Sequence, residues 1–123
     1  MDIERIGDVP DFKGMVALAN EKYLGNMKVV DLGYRIEGIR ANIREIEAEV
    51  MREITKEVND DGKKVYTNVE SRNAALAERL EYNSSYREMK EGVERFERER
   101  DEVKARVWYL DDLLKIGIAF GKS

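Results

Sequence analysis

An apolar ladder stepping four, three, four, three, four limits what this chain can fold into. It runs Leu32, Ile36, Ile39, Ile43, Ile46, Val50. A second ladder follows a polar interruption: Val93, Phe96, Val103, Val107, Leu110, Leu114. Residues three and four apart share one face of a helix, so each ladder is a narrow apolar stripe on a long helix. A stripe of that width must be covered by another helix. Two such stripes separated by a turn predict an all-α fold: a long antiparallel helical hairpin of coiled-coil type. After Val50 the steps become four and four, to Ile54 and Val58, a stutter that locally unwinds a coiled coil.

Punctuation residues divide the chain. Gly7, Pro10 and Gly14 break any period, so residues 1–14 are expected to be irregular. Pro10 suits a first helical turn, and Asp11 suits the start of the helix dipole. Phe12, Met15, Val16, Ala19 and Tyr23 follow helical spacing. They predict a short helix over 15–25 that ends near Gly25-Asn26. A long helix is expected over 27–58. Asn59-Asp60-Asp61-Gly62 is the clearest turn, because Asx side chains bond their own backbone and Gly accepts positive φ. With the extended Lys63–Tyr66 it makes a tip over 59–67. Thr67-Asn68-Val69-Glu70 reads as a capping box opening a helix over 68–82. Tyr82-Asn83-Ser84-Ser85 interrupts it, and Ser85 with Glu88 reads as a second box. The last helix is expected over 85–117, stopped by Gly117. Folding about residue 65 would bring Val93–Phe96 opposite Ile36. It would also pack Trp108 and Leu110 against Val16, Tyr23 and Leu24, making the open end of the hairpin, where the short N-terminal helix packs, the best-filled part of a single domain, 1–123.

Composition narrows the function. Of 123 residues, 39% are charged and 42% hydrophobic, a balance that suits solvated helices more than a thick core. Cysteine and histidine are both absent. That removes disulfides, thiolate metal sites, and the commonest general base and metal ligand. No cofactor is expected. No apolar run approaches the ~20 residues that span a bilayer. Residues 1–11 carry four acids and one arginine, unlike a secretory or transit leader, so a cytoplasmic, non-membrane protein is expected. A net charge of −4 gives no global pull toward nucleic acid.

Few residue groups suggest chemistry. Arg100 occupies a step of the second ladder that the pattern reserves for an apolar side chain. It reads as a snorkelling arginine, or as a polar residue that sets helix register at a cost in stability. Glu91, Glu94 and Glu97 share helical spacing that suits Mg²⁺. Glu94-Arg-Phe-Glu97 and Glu57-Val-Asn-Asp60 echo the paired motifs of all-α nucleotide pyrophosphatases, in reverse order. Interleaved Arg95, Arg98 and Arg100 favour a solvated, salt-bridged face instead. Asn59–Gly62 lacks the alternating ligands and terminal Glu of a calcium loop. Lys56, Lys63 and Lys64, with Arg35, Arg40, Arg44 and Arg52, suit phosphates, and Tyr66 offers a ring for base stacking. Acids alternate with them throughout. No phosphate-binding loop or nucleophile elbow is present.

The stretch Gly62-Lys-Lys-Val-Tyr-Thr-Asn-Val-Glu-Ser-Arg-Asn-Ala-Ala-Leu-Ala-Glu-Arg-Leu resembles small helical-hairpin proteins of tailed phages and prophages. The matching residues are Tyr66, Asn68, Arg72, Arg79, Leu80 and Tyr86, and the resemblance covers roughly residues 30 to 115. The chain departs from that pattern at Asn83-Ser84-Ser85 and in its longer N-terminal segment. The resemblance implies a neighbourhood of phage DNA replication or recombination.

Together these readings predict a non-enzymatic, self-associating interaction or scaffold protein. Its candidate contact residues are Lys63, Lys64, Tyr66, Asn68, Arg72, Arg100 and Trp108. Its partners are expected to be further copies of itself or another protein. The alternatives are a phage-type accessory that binds DNA or a recombination partner through the tip, and a metal-dependent nucleotide hydrolase.

Overall fold

The computed structural model describes residues 11–121. They form three helices: α1, Phe12–Lys56; α2, Val69–Glu81; and α3, Ser84–Gly121. Among the described residues the sole β pairing is an isolated antiparallel bridge between Val58 and Lys64. The helices contribute to two compact units. One combines Met1–Tyr34 with Glu97–Ser123, and the other is Arg35–Phe96.

In the first unit, α1 begins three residues earlier than glycine punctuation suggests. Asp11 caps it, its Oδ1 accepting the Gly14 N–H at 2.7 Å. Residues 12–14 are therefore helical, and the expected irregular stretch otherwise falls at residues 1–10, outside the described residues. No separate short helix exists. α1 passes through Gly25-Asn26 without a break, and the reason is tertiary. A Cβ placed on Gly25 would lie 2.7 Å from Val107 Cγ2. Gly25 is there to let α3 approach, and that packing outweighs the ~1 kcal/mol that glycine costs a helix interior. Ion pairs flank the contact: Lys22 with Asp111 at 2.6 Å and Lys28 with Glu99 at 3.1 Å. Leu32, Val107 and Leu110 are buried here.

In the second unit, Ile36, Ile43 and Val93 form a buried cluster. Ile39, Tyr86, Met89 and Phe96 pack around it. Ile54, Ala75 and Leu80 are also buried. The turn at Asn59–Gly62 forms as read: Asn59 Oδ1 accepts from the Asp61 and Lys63 N–H groups, both at 3.0 Å. Gly62 takes φ +76, which glycine adopts at little cost. α1 ends at Lys56, so Val58 joins the bridge instead of the helix. The caps differ from expectation by one or two residues. Asn68, not Thr67, opens α2, in a reciprocal box with Ser71. Asn83, not Ser85, caps α3, its Oδ1 accepting the Tyr86 N–H at 2.9 Å. Both asparagine side chains accept from free backbone N–H groups of the first turn, so Thr67 and Ser85 are not needed as caps. α3 also runs on through the buried Gly117 to Gly121. That glycine lies inside the helix and does not end it.

Gly25→Ala should therefore destabilise the protein in chemical denaturation, although alanine is the better helix former. Val107 is buried and its χ1 is stiff, so it cannot move aside. In a Val107→Ala background the sign should reverse. Gly38→Ala, whose added Cβ meets nothing within 4 Å, should stabilise by about 0.5–1 kcal/mol.

Candidate functional site

Two surfaces carry the sequence-derived candidates. The first is the tip in the Arg35–Phe96 unit. Lys63 and Lys64 are exposed on a loop held by backbone bonds from Asn59 N–H to Lys63 O and from Val65 N–H to Glu57 O. Tyr66 is not presented for stacking. The Arg79 guanidinium lies over its ring at 5.8 Å, and Arg79 also bonds Glu57. Those bonds, first to Glu57 and then to Tyr66, raise the Arg79 pKa. Tyr66, Ala75, Glu78, Arg79 and Tyr82 line a hollow of about 300 Å³. The Asn68 side chain is used in its cap, and Arg72 is half-buried. Two lysines are thus the part of the expected tip patch that faces solvent free of those roles. Asp60 and Asp61 are exposed beside them.

The second surface lies in the unit of Met1–Tyr34 and Glu97–Ser123, and there the expected packing is overturned. Trp108 is 71% exposed, Tyr23 60%, Leu24 55% and Val16 53%. The cause is register. Buried or half-buried residues on α1 follow Met15, Leu18, Lys22, Gly25, Val29, Leu32, and on α3 Arg100, Val103, Val107, Leu110, Leu114, Gly117. Trp108 stands one residue past Val107, about 100° round the helix. Val16, Tyr23 and Leu24 are displaced from the α1 seam in the same way. These residues are thus exposed apolar surface of this unit and not part of its core. Phe12 at 85% and Tyr34 at 77% are further exposed there. Phe12, Val16, Ala19, Leu114 and Ile118 border a groove of about 540 Å³.

Two seam positions on this unit are not apolar. Lys22 runs its stem along the seam and donates to Asp111 Oδ1, while Lys115 reaches Oδ2 at 2.9 Å. The hydrogen bond from Lys22, then that from Lys115, holds the Asp111 carboxyl below the usual carboxylate range. Arg100 is half-buried, and its Nε has no hydrogen-bond partner among the described residues. A buried donor left unpaired costs about 1–3 kcal/mol.

No group of three or more Asp, Glu, His or Cys is placed to hold a metal among the described residues, and the Glu91, Glu94, Glu97 row lies along one helix instead of converging. No described helix is long and apolar enough to cross a membrane. No family model, curated protein or solved structure matches the chain.

Two outcomes follow. Because its folded pKa is lowered, Asp111 adds stability that is present above the ordinary carboxylate range and lost as pH falls through the lower folded value. Asp111→Asn should therefore lower Tm at pH 7. The gap from the parent should narrow as pH falls below the ordinary carboxylate range, read by circular dichroism. Arg100→Leu removes the unpaired donor and completes the apolar seam, so it should raise Tm.

Proposed function

We propose that this chain is a non-enzymatic interaction or scaffold protein, a long antiparallel helical hairpin that works by self-association. The exposed apolar surface of the Met1–Tyr34 and Glu97–Ser123 unit carries the reading. Phe12, Tyr23, Tyr34 and Trp108 each expose more than half their surface. Such concentrations of large apolar side chains mark contact sites on soluble proteins.

The hairpin is supported by the order of contacts within that unit. Lys22 meets Asp111, Gly25 meets Val107 and Lys28 meets Glu99. Numbers rise on α1 as they fall on α3. A two-helix arm of this kind hides one stripe per helix and is marginal alone, since small folds bury too little surface for their chain length. Association would supply the missing burial.

Light scattering across a concentration series should give a mass that rises from one chain of 14.3 kDa to a multiple of it. A protein that stays monomeric throughout would contradict the reading. Salt-sensitive retention on single-stranded DNA by such a monomer would transfer the function to Lys63 and Lys64 at the tip.

A further inference from the structure

The outer face of α1 carries a second apolar stripe that neither opening ladder includes. It consists of Phe12, Val16, Ala19, Tyr23, Met27, Val30 and Tyr34, all exposed. At 100° per residue they fall within an arc of roughly 80°, about 130° round the helix from the seam. The stripe runs roughly 33 Å along the helix.

We propose that this stripe is a two-fold interface on which a second copy of the chain lies antiparallel, centred on Tyr23. The proposal rests on the self-association proposed above and assigns it to a surface and a geometry.

The spacing is the first argument. The steps run four, three, four, four, three, four, the same in both directions. Reversing a second copy about Tyr23 brings Phe12 opposite Tyr34, Val16 opposite Val30, Ala19 opposite Met27, and Tyr23 opposite Tyr23. Every member meets another member. A slip of one turn either way leaves some of them facing polar or absent partners. A two-fold interface requires this self-complementarity, since residue i contacts j wherever j contacts i. The small Ala19 falls opposite the long Met27, so the one thin position in the stripe receives a side chain able to fill it.

Charge decides between antiparallel and parallel pairing, because a parallel pair in register would also match the stripe to itself. Lys13 and Asp31 lie five helical turns apart, on the same flank of the stripe. Antiparallel pairing sets Lys13 of each copy beside Asp31 of the other. Parallel pairing carries that flank to the opposite side of the interface on the second copy, so Lys13 and Asp31 do not meet.

Area and composition point to the same occupant. Exposed aromatic side chains of this kind present about 150–250 Å² each. At their fractional exposures the stripe residues offer roughly 700–800 Å² per copy. Covering two-thirds of that on each copy reaches the ~1,000 Å² that a specific interface needs. Charge is also depleted over this length. Residues 12–34 hold Lys13, Glu21, Lys22, Lys28 and Asp31, whereas residues 35–56 of the same helix hold ten charged residues. A helix apolar on two sides is a helix covered on two sides.

The chain has no cysteine, so single-cysteine variants report geometry cleanly. With a short bis-maleimide, Tyr23→Cys should cross-link to itself. Val16→Cys alone should not, because the two positions would lie roughly 21 Å apart. An equimolar mixture of Val16→Cys and Val30→Cys should give the cross-linked dimer. Val16→Cys linking to itself, with no product from the mixture, would overturn the antiparallel arrangement. Tyr23→Arg should raise the concentration midpoint of association at least about tenfold. Its far-ultraviolet circular dichroism should be unchanged, since Tyr23 touches solvent and not the seam. Association that Tyr23→Arg leaves untouched overturns this interface while self-association stands. A parent protein monomeric at every concentration overturns both.

Discussion

The seven-residue register of buried positions on the two long helices is the constraint on which the rest depends. On α1 it runs Met15, Leu18, Lys22, Gly25, Val29, Leu32, Ile36, Ile39, Ile43, and on α3 Tyr86, Met89, Val93, Phe96, Arg100, Val103, Val107, Leu110, Leu114, Gly117. Each step is three or four residues. Once that period is set, every other side chain is assigned a side. Trp108 is outside because Val107 is inside. Where the register demands a seat that is not apolar, a specific device occupies it. Gly25 removes a side chain so that Val107 can fit. Lys22 lays down its stem and ties its head to Asp111. Arg100 has no such device for its Nε, so register is kept there at the expense of stability.

Much of this was legible from spacing alone. Ile36, Ile43 and Val93 stand in the two ladders and are buried together. The Asn59–Gly62 turn follows from side-chain chemistry that acts within four residues. Tertiary effects defeated the reading elsewhere. Gly25 and Gly117 look like helix terminators in a sequence, yet both lie inside helices, and Gly25 acts as a packing glycine against Val107. Lys22 and Gly25 hid the α1 register upstream of Leu32, which made Val16, Tyr23 and Leu24 look like core. The caps were misassigned for a smaller reason. Thr67-Asn68 and Asn83-Ser84-Ser85 each offer adjacent residues able to cap, and the choice turns on backbone angles that composition does not encode.

The tip shows how a region that looks adapted for recognition can be spent on structure. Tyr66, Asn68 and Arg79 all lie in the stretch from Gly62 to Leu80. In the fold the arginine covers the tyrosine and bonds Glu57, while the asparagine closes a helix end. These contacts hold a short loop in place where there is little apolar surface to do so. A motif of polar and aromatic residues at a turn is ambiguous for that reason: the groups that recognise a nucleotide are also the groups that satisfy a loop backbone.

The first half of α1 faces a different demand from the second. Its inner face repeats every seven residues and its outer face every eleven, since Phe12, Val16, Ala19 and Tyr23 are followed at the same steps by Tyr23, Met27, Val30 and Tyr34. A seven-residue stripe drifts round a straight helix and favours left-handed winding, whereas an eleven-residue stripe drifts slightly the other way. One helix cannot follow both over a long distance. Over residues 12–34 the angle between the two faces opens by about 100°, from about 60° at Phe12 to about 160° at Tyr34, and the outer stripe ends there. Beyond it the exposed positions turn charged, with Arg35, Glu37, Arg44 and Glu45. Its confinement to one end separates an exposed apolar segment from a charged one along a single helix.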